Sequence, residues 1–212
     1  MRYEIGGHKV DPHASLIALD RVECAESLAT FVEHAWAIVE PGQDYVHGWH
    51  IDAMAEHLEA ITYGDEDYNR LLINIPPGHM KSLMVSVFWP AWEWGPCNLP
   101  HMRYLCASHS LELGIRDSMR MRRLITSDWY QARWGHKFRM TKLMVGDFEN
   151  NQGGTRLATA PGSAATSRPT ARSRGGSDRP VCLSATVAVP ACRRRQCRPA
   201  VGSWCSGSPR AG

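Results

Sequence analysis

Residues 71–88 read Leu-Leu-Ile-Asn-Ile-Pro-Pro-Gly-His-Met-Lys-Ser-Leu-Met-Val-Ser-Val-Phe, and this stretch decides the fold that the sequence predicts. The apolar run at residues 71–75 predicts a buried strand, and the breaker at residues 76–78 ends it. Residues 83–94 are apolar and long enough to form a helix. A strand, a tight turn, Lys81-Ser82 and a helix, in this order, form the context that a phosphate-binding P-loop requires.

The residue types at this turn suit a polyphosphate. Backbone amides of the turn and of the following helix N-terminus attract an anion. We predict phosphate contacts from six residues: Pro77, Gly78, His79, Met80, Lys81 and Ser82. Lys81 would place a positive charge at the β- and γ-phosphates and is the predicted catalytic residue, and the Ser82 hydroxyl is a predicted Mg²⁺ ligand. ATP and Mg²⁺ are therefore the expected cofactors.

The turn departs from the standard pattern G-x-x-x-x-G-K-[ST] at both glycine positions, which are Ile75 and Met80 here. Met80 is the more serious departure, because a side chain stands where the backbone usually approaches a phosphate. The alternative interpretation is that Lys81 simply begins a surface helix.

Three further segments surround this turn in order: residues 45–52, 104–110 and 127–130. Together with residues 71–94 they resemble the large terminase subunit of tailed bacteriophages, over roughly residues 40–166. That family carries a deviant P-loop preceded by Pro-Pro. The resemblance implies an ATP-driven motor that packages double-stranded DNA and carries a C-terminal nuclease domain. It also implies as partners the small terminase subunit, the portal protein and further copies of the chain itself.

The C-terminal segment 168–212 differs in composition from the rest of the chain. It contains nine arginines, no lysine and a single acid, Asp178, so it carries +8; because the whole chain carries +3, the remainder carries −5. Such a composition cannot bury a core and predicts disorder. In the resembling family an apolar strand ending in acidic residues, the Walker B segment, comes at this point, and none occurs here. We interpret the segment as translation out of frame; the alternative is a genuine basic arm for nucleic acid.

The fold expected from these patterns is α/β: an incomplete P-loop NTPase with a parallel-core sheet flanked by helices and a disordered C-terminal tail. Residues 1–40 are predicted to be a lead-in followed by a helix, whose start Asp20 and Glu23 mark as a capping pair. Residues 41–167 are the predicted partial ATPase domain, and 168–212 the tail.

Further elements are predicted from periodicity within the ATPase part. Helices are expected over 49–61 and 108–125, and a short strand over 103–107. Two more strands, 142–148 and 155–160, are expected to be joined by a hairpin-like turn.

The sequence also restricts the compartment. No stretch approaches the ~20 apolar residues of a membrane span, and the N-terminus lacks the apolar region of a secretory signal. A cytoplasmic protein without a membrane partner is therefore expected. Cys24, Cys97 and Cys106 are predicted to be small buried hydrophobes, and the four cysteines after residue 180 have no zinc-site spacing.

Several polar or aromatic residues are secondary candidates for binding. Gln43, Tyr45 and Trp49 precede the turn and are candidates for contacts with the nucleotide base, although both aromatic residues also suit a core position. The four arginines of the next helix could form a phosphate-contacting face, or a solvated helix end favoured by the helix dipole: Arg116, Arg120, Arg122 and Arg123.

Two carboxylates flank Phe148, namely Asp147 and Glu149. They precede the expected Walker B position and alternate with apolar residues as in an exposed strand edge, so we interpret them as structural.

The function expected from the sequence is that of a fragment of a DNA-packaging motor that binds ATP phosphates. Whether it is an enzyme stays open, because the missing Walker B segment and nuclease domain predict negligible hydrolysis. Three alternatives remain: another P-loop nucleic-acid ATPase, a non-catalytic DNA-binding protein that uses the basic tail, and a truncated product without function.

Overall fold

The computed structural model describes residues 3–5, 8–64, 70–160 and 186–187. Within them the helices are α1 (Pro12–Glu26), α2 (Leu28–Val39), α3 (Trp49–Tyr63), α4 (Lys81–Leu83), α5 (Trp89–Trp94), α6 (Leu111–Thr126) and α7 (Asp128–Trp134). A π-helical turn, Met84–Phe88, joins α4 to α5, so residues 81–94 form one continuous helix, called here the loop helix. None of the helices in these ranges combines the length and apolar composition needed to cross a bilayer.

The strands form two sheets. The first pairs β1 (Tyr3–Ile5) with β2 (His8–Val10). The second has the order β4-β5-β6-β3-β7 and consists of β3 (Arg103–Ala107), β4 (Met140–Leu143), β5 (Asp147–Asn150), β6 (Thr155–Thr159) and β7 (Thr186–Val187).

The chain is thus a mixed α/β structure, but the sheet has less parallel pairing than predicted. Only β3 and β6 pair in parallel, and every other described pairing in this sheet is antiparallel. The reason is that β4, β5 and β6 follow one another through short turns, which can join only antiparallel strands.

The predicted strand at residues 71–75 is also wrong, since residues 70–76 are neither helix nor strand. Leu71 and Ile73 pack against the core, whereas Leu72 is 76% exposed. A strand needs a neighbour to take its main-chain hydrogen bonds, and no described segment pairs with this one.

The N-terminal region is more regular than predicted. Asp11 caps α1 by accepting a hydrogen bond from the His13 amide (3.1 Å), and Pro12 occupies its first position. Asp20 lies inside α1 and pairs with Arg133, so the helix start predicted there is wrong. Ser27 caps α2 instead.

The helices predicted over residues 49–61 and 108–125 are confirmed with shifted ends, because Gly64 ends α3 and Ser110 caps α6. The predicted strand 142–148 is two strands, β4 and β5, with the turn between them. The tail 168–212, predicted to be disordered, lies outside the described residues apart from Thr186–Val187, which pairs with β3.

Helices cover one face of the larger sheet. Tyr104, Cys106, Phe148 and Arg156 are buried on that face, and Leu105 on the opposite face is 43% exposed. The core is rich in large aromatic side chains that are fully buried: Phe31, Phe88, Trp92, Trp94, Tyr130 and Trp134. Cys24 and Cys106 are buried as predicted, and Cys97 is partly buried.

Gly154→Ala is expected to destabilise the chain by about 1–3 kcal/mol, the usual cost of overpacking. A Cβ at Gly154 would overlap the Pro100 carbonyl oxygen and lie 2.6 Å from Asn150 Nδ2. Urea unfolding measures the loss, and Gly42→Ala is the control because nothing lies within 4 Å of its added Cβ. Equal unfolding free energies for the two variants would contradict the prediction.

Candidate functional site

The segment Pro77–Ser82 forms a bend with two left-handed residues. Gly78 has φ +87° and Met80 has φ +60°, a conformation that a non-glycine residue adopts only rarely. The Met80 side chain packs against the hydrophobic core. A methionine is therefore tolerated at the glycine position of the pattern, because Met80 supplies the left-handed backbone while its side chain is taken up by the core.

The backbone at this bend leaves amides available to an anion. The first intrahelical bond of the loop helix runs from the Met84 amide to the Met80 carbonyl (2.8 Å), so the amides of Lys81, Ser82 and Leu83 precede it. No side chain caps this helix start. Left-handed Met80 followed by right-handed Lys81 is the alternation that turns successive N–H groups toward one concave side.

Lys81 and Ser82 have no competing partner among the residues that the structure describes. Among the described residues, neither the Lys81 ammonium nor the Ser82 hydroxyl makes a hydrogen bond or ion pair. Ser82 is exposed and Lys81 half-buried. The bend therefore presents amides, one ammonium and one hydroxyl, which suits a phosphate group.

An arginine that sequence reasoning missed fixes the loop helix to the sheet. Pro90 has no N–H, so the Ser86 carbonyl lacks its usual helical donor, and the Trp89 amide donates to Met84 across the π-turn. The buried Arg156 of β6 donates instead to the Ser86 carbonyl, from Nη2 at 3.0 Å. Pro90 within a helical run was the available signal for this irregularity.

The segment before α3 packs on Trp36 of α2. Tyr45 packs on Trp36, with 5.8 Å between ring centroids, and its hydroxyl lies 3.3 Å from His47 Nδ1. Burial raises the pKa of Tyr45 to about 12. Trp49 is 81% exposed, and the Gln43 carbonyl accepts a hydrogen bond from the Trp36 indole (2.7 Å). Tyr45 is thus partly a core residue, as its type suggested, whereas Trp49 is not.

A histidine contact also joins α3 to the bend. The rings of His50 and His79 lie 5.4 Å apart, centroid to centroid, at an interplanar angle of 71°. Sequence reasoning singled out His79 but missed His50.

Two of the four arginines on α6 form ion pairs with described acids. Arg120 pairs with Glu40 and Asp117, and Arg116 pairs with Asp117 at 3.3 Å. Glu40, Arg116 and Arg120 line a groove of about 380 Å³ between α6 and the end of α2. Arg122 donates to the Leu143 carbonyl at 3.3 Å, and within the described residues Arg123 makes no ion pair. Arg122 and Arg123 have no acidic partner among the described residues, so this face keeps part of its positive charge.

The described carboxylates do not complete a catalytic site at the bend. Asp147 pairs with Lys142. Its strand β5 lies between β4 and β6. The prediction that Asp147 and Glu149 lie on an exposed edge of the sheet is therefore wrong. No described contact joins Asp147 or Glu149 to Lys81 or Ser82.

A separate acidic cluster consists of Asp20, Glu23 and His34, whose ligand atoms lie within 4.8 Å of one another. The arginine Arg133 already binds Asp20, with Nε at 2.8 Å. The Asp20 carboxylate therefore already has a cationic partner, and the cluster does not by itself indicate a metal.

The donor set fits Mg²⁺ in part. The Ser82 hydroxyl is a suitable ligand, and Mg²⁺ usually takes one or two carboxylates plus phosphate and water oxygens. Within the described residues no carboxylate contacts Ser82. Among the described residues of the bend, the Ser82 hydroxyl is thus the one suitable Mg²⁺ ligand.

No protein-family model, curated protein or solved structure matches the chain.

Proposed function

We propose that the chain binds the polyphosphate of ATP at Pro77–Ser82. We further propose that it is the N-terminal part of a DNA-packaging ATPase like the large terminase subunit. The observation that carries the phosphate site is the bend itself, where left-handed Met80 precedes the helix start. Among the described residues, no side chain caps this start, and the Lys81 ammonium and Ser82 hydroxyl have no partner. Anions bind such helix N-termini because amides and the helix dipole both favour negative charge.

Each residue has a distinct role in this proposal. The amides of residues 78–82 hold phosphate oxygens, and Lys81 neutralises charge on the β- and γ-phosphates. Ser82 is the protein's ligand to Mg²⁺, which neutralises phosphate charge when it is bound with the nucleotide. His79 and Met80 set the shape of the bend.

Hydrolysis is proposed to be negligible. Phosphoryl transfer to water needs a carboxylate that helps to hold the metal and a group that orients the attacking water. No described residue occupies either position. A tenfold loss of rate corresponds to ~1.4 kcal/mol of transition-state stabilisation, so losing both groups removes several kcal/mol.

The packaging role rests on the resemblance of residues 40–166 to the family. In an intact relative the partners would be double-stranded DNA, the small terminase subunit, the portal and other copies of the subunit, in the cytoplasm of an infected bacterium. The proposal for this chain is that it forms part of such a motor.

Lys81→Ala is expected to weaken ATP binding at least tenfold, because the ammonium that the bend contributes is lost. One lost charge–phosphate contact of about 1.4 kcal/mol or more corresponds to that factor. Titration calorimetry with Mg-ATP on the full chain measures it. Lys142→Ala is the control, since it removes the same charge from β4, where Lys142 pairs with Asp147.

The length of the phosphate chain gives a second measurement. Affinity should fall from ATP to ADP to AMP, because the bend is proposed to bind phosphates. If Lys81→Ala and Lys142→Ala bind ATP equally, or if AMP binds as well as ATP, the site is not at Lys81. A coupled assay showing robust ATP turnover would contradict the proposed inactivity.

A further inference from the structure

Two imidazoles meet where α3 approaches the bend. His50 lies in the first turn of α3, and His79 lies between the two left-handed residues Gly78 and Met80. Their ring centroids are 5.4 Å apart. Two imidazoles bound to one ion at about 2.1 Å, with tetrahedral angles, have centroids about 5.3 Å apart. The observed centroid separation is close to this value.

The hydrogen bonding of His79 fixes its tautomer. Its Nδ1 lies 3.1 Å from the Pro77 carbonyl oxygen. A carbonyl can only accept, so Nδ1 carries the proton and the Nε2 lone pair is left for a ligand. Metal-binding histidines are typically oriented in this way, by donating the other ring N–H to a backbone carbonyl.

The His50 ring is also available. Neither of its nitrogens has a hydrogen-bond partner among the described residues. The ring folds back over Gly48, where an added Cβ would lie 2.7 Å from His50 Cε1. Glycine at this position makes room for the imidazole to face the bend.

We propose that His50 and His79 bind one divalent transition-metal ion of the class that accepts imidazole, such as Zn²⁺ or Co²⁺. Mg²⁺ and Ca²⁺ are disfavoured because they prefer oxygen ligands. Water or phosphate oxygens complete the coordination, since two protein ligands leave positions open.

The ion would connect the bend to α3. His79 is carried by the bend and His50 by the helix, so one ion fixes the two relative to each other. The charge of Lys81, two residues from His79, opposes a cation, whereas Asp52 is already paired with His47 at 2.8 Å. Affinity therefore comes from the two nitrogen ligands, and a bound phosphate would strengthen it.

The test uses the full chain and the metal alone, without nucleotide. Zn²⁺ is titrated by calorimetry and Co²⁺ by its visible absorption. His50→Ala and His79→Ala are each expected to lower the affinity at least tenfold. His57→Ala is the matched control, because His57 also lies on α3 and donates from Nδ1 to the Ala53 carbonyl (2.7 Å). Mg²⁺ in excess should not displace Co²⁺.

A third variant distinguishes a loss of metal binding from a loss of folding stability. Gly48→Ala displaces the His50 ring without removing a ligand, so it should weaken Co²⁺ binding while urea unfolding of the metal-free chain stays near wild type.

Three results would overturn the proposal: no Zn²⁺ or Co²⁺ binding by the wild-type chain, unchanged affinity in both histidine variants, or a thiolate-to-cobalt band that assigns the ion to cysteines. Loss of binding in His34→Ala alone would place the ion at the acidic cluster instead. Since ATP is absent, none of these outcomes bears on the phosphate proposal.

Discussion

Replacing Glu93 by glutamine is expected to make the free energy of unfolding less dependent on pH. In the wild-type chain Glu93 should lower this free energy by about 2–3 kcal/mol as the pH rises from about 5 to about 8, and the variant should lack this decrease. Glu93 lies in the last turn of the loop helix and is fully buried. Burial raises its pKa from 4.5 to about 7, although hydrogen bonds from Tyr104 and Thr62 oppose the shift. The carboxyl is therefore uncharged in the folded chain at acidic pH and charged, at a cost, above neutrality.

The direction of the pH dependence follows from proton binding. Below about pH 4.5 the folded and unfolded chains both hold the proton, and Glu93 contributes no pH dependence. Between 4.5 and 7 the folded chain binds more protons than the unfolded chain, so stability decreases as the pH rises. Above 7 the full cost of the buried charge is present. Cys97 and Tyr104 stay neutral throughout this window because burial raises the pKa of each.

Glutamine can reproduce the hydrogen bonds of the protonated carboxyl. Tyr104 donates to one oxygen of Glu93, and the Thr62 hydroxyl lies 2.7 Å from the other. Thr62 also accepts from the Trp89 indole (2.8 Å) and reaches the Leu58 carbonyl (3.0 Å). An amide N–H at position 93 can donate to Thr62, whose own proton then goes to Leu58. The neutral amide thus satisfies the same partners.

Urea unfolding of the wild-type chain and Glu93→Gln at several pH values measures the effect. The difference between the two should grow with pH in favour of the variant and level off above about pH 7. Parallel pH curves would show that Glu93 does not titrate in this window.

Trp94→Ala should cost about 3–5 kcal/mol, the range for truncating a large buried aromatic side chain. Trp94 is fully buried, and its ring packs on Tyr104, Phe138 and Phe148 at centroid distances of 6.1, 5.6 and 6.0 Å. Its indole also donates to the Met102 carbonyl at 3.0 Å. Truncation leaves a cavity and an unsatisfied carbonyl beside β3. Since domains have only about 5–15 kcal/mol of stability, much of the chain's stability would be lost.

Two variants make the Trp94 measurement specific. Trp94→Phe keeps a ring and should lose less than Trp94→Ala. Trp49→Ala removes a tryptophan that is 81% exposed, and should change the unfolding free energy by no more than about 0.5 kcal/mol. Similar losses for Trp49→Ala and Trp94→Ala would mean that Trp94 is not a core residue.

Local chemistry in the sequence determined the helices and the bend. The apolar spacing of residues 28–39 and 49–61 predicts one buried face for each helix, and both helices are found there. The breaker at residues 76–78 followed by Lys81-Ser82 predicts a turn before a helix, and the turn is present. These features depend on contacts between residues close together in the chain, so the sequence pattern can predict them.

Tertiary structure decided the features that depend on distant neighbours. Residues 71–75 are apolar enough for a strand, but strand formation requires a pairing partner, and no described segment supplies one. The Ser86 carbonyl takes its donor from Arg156, 70 residues away. The contact between His50 and His79 likewise joins segments 29 residues apart. The sequence by itself determined a bend before a helix, because its backbone chemistry is local. Only the fold decided which side chains surround that bend, because their meeting depends on how separate elements pack.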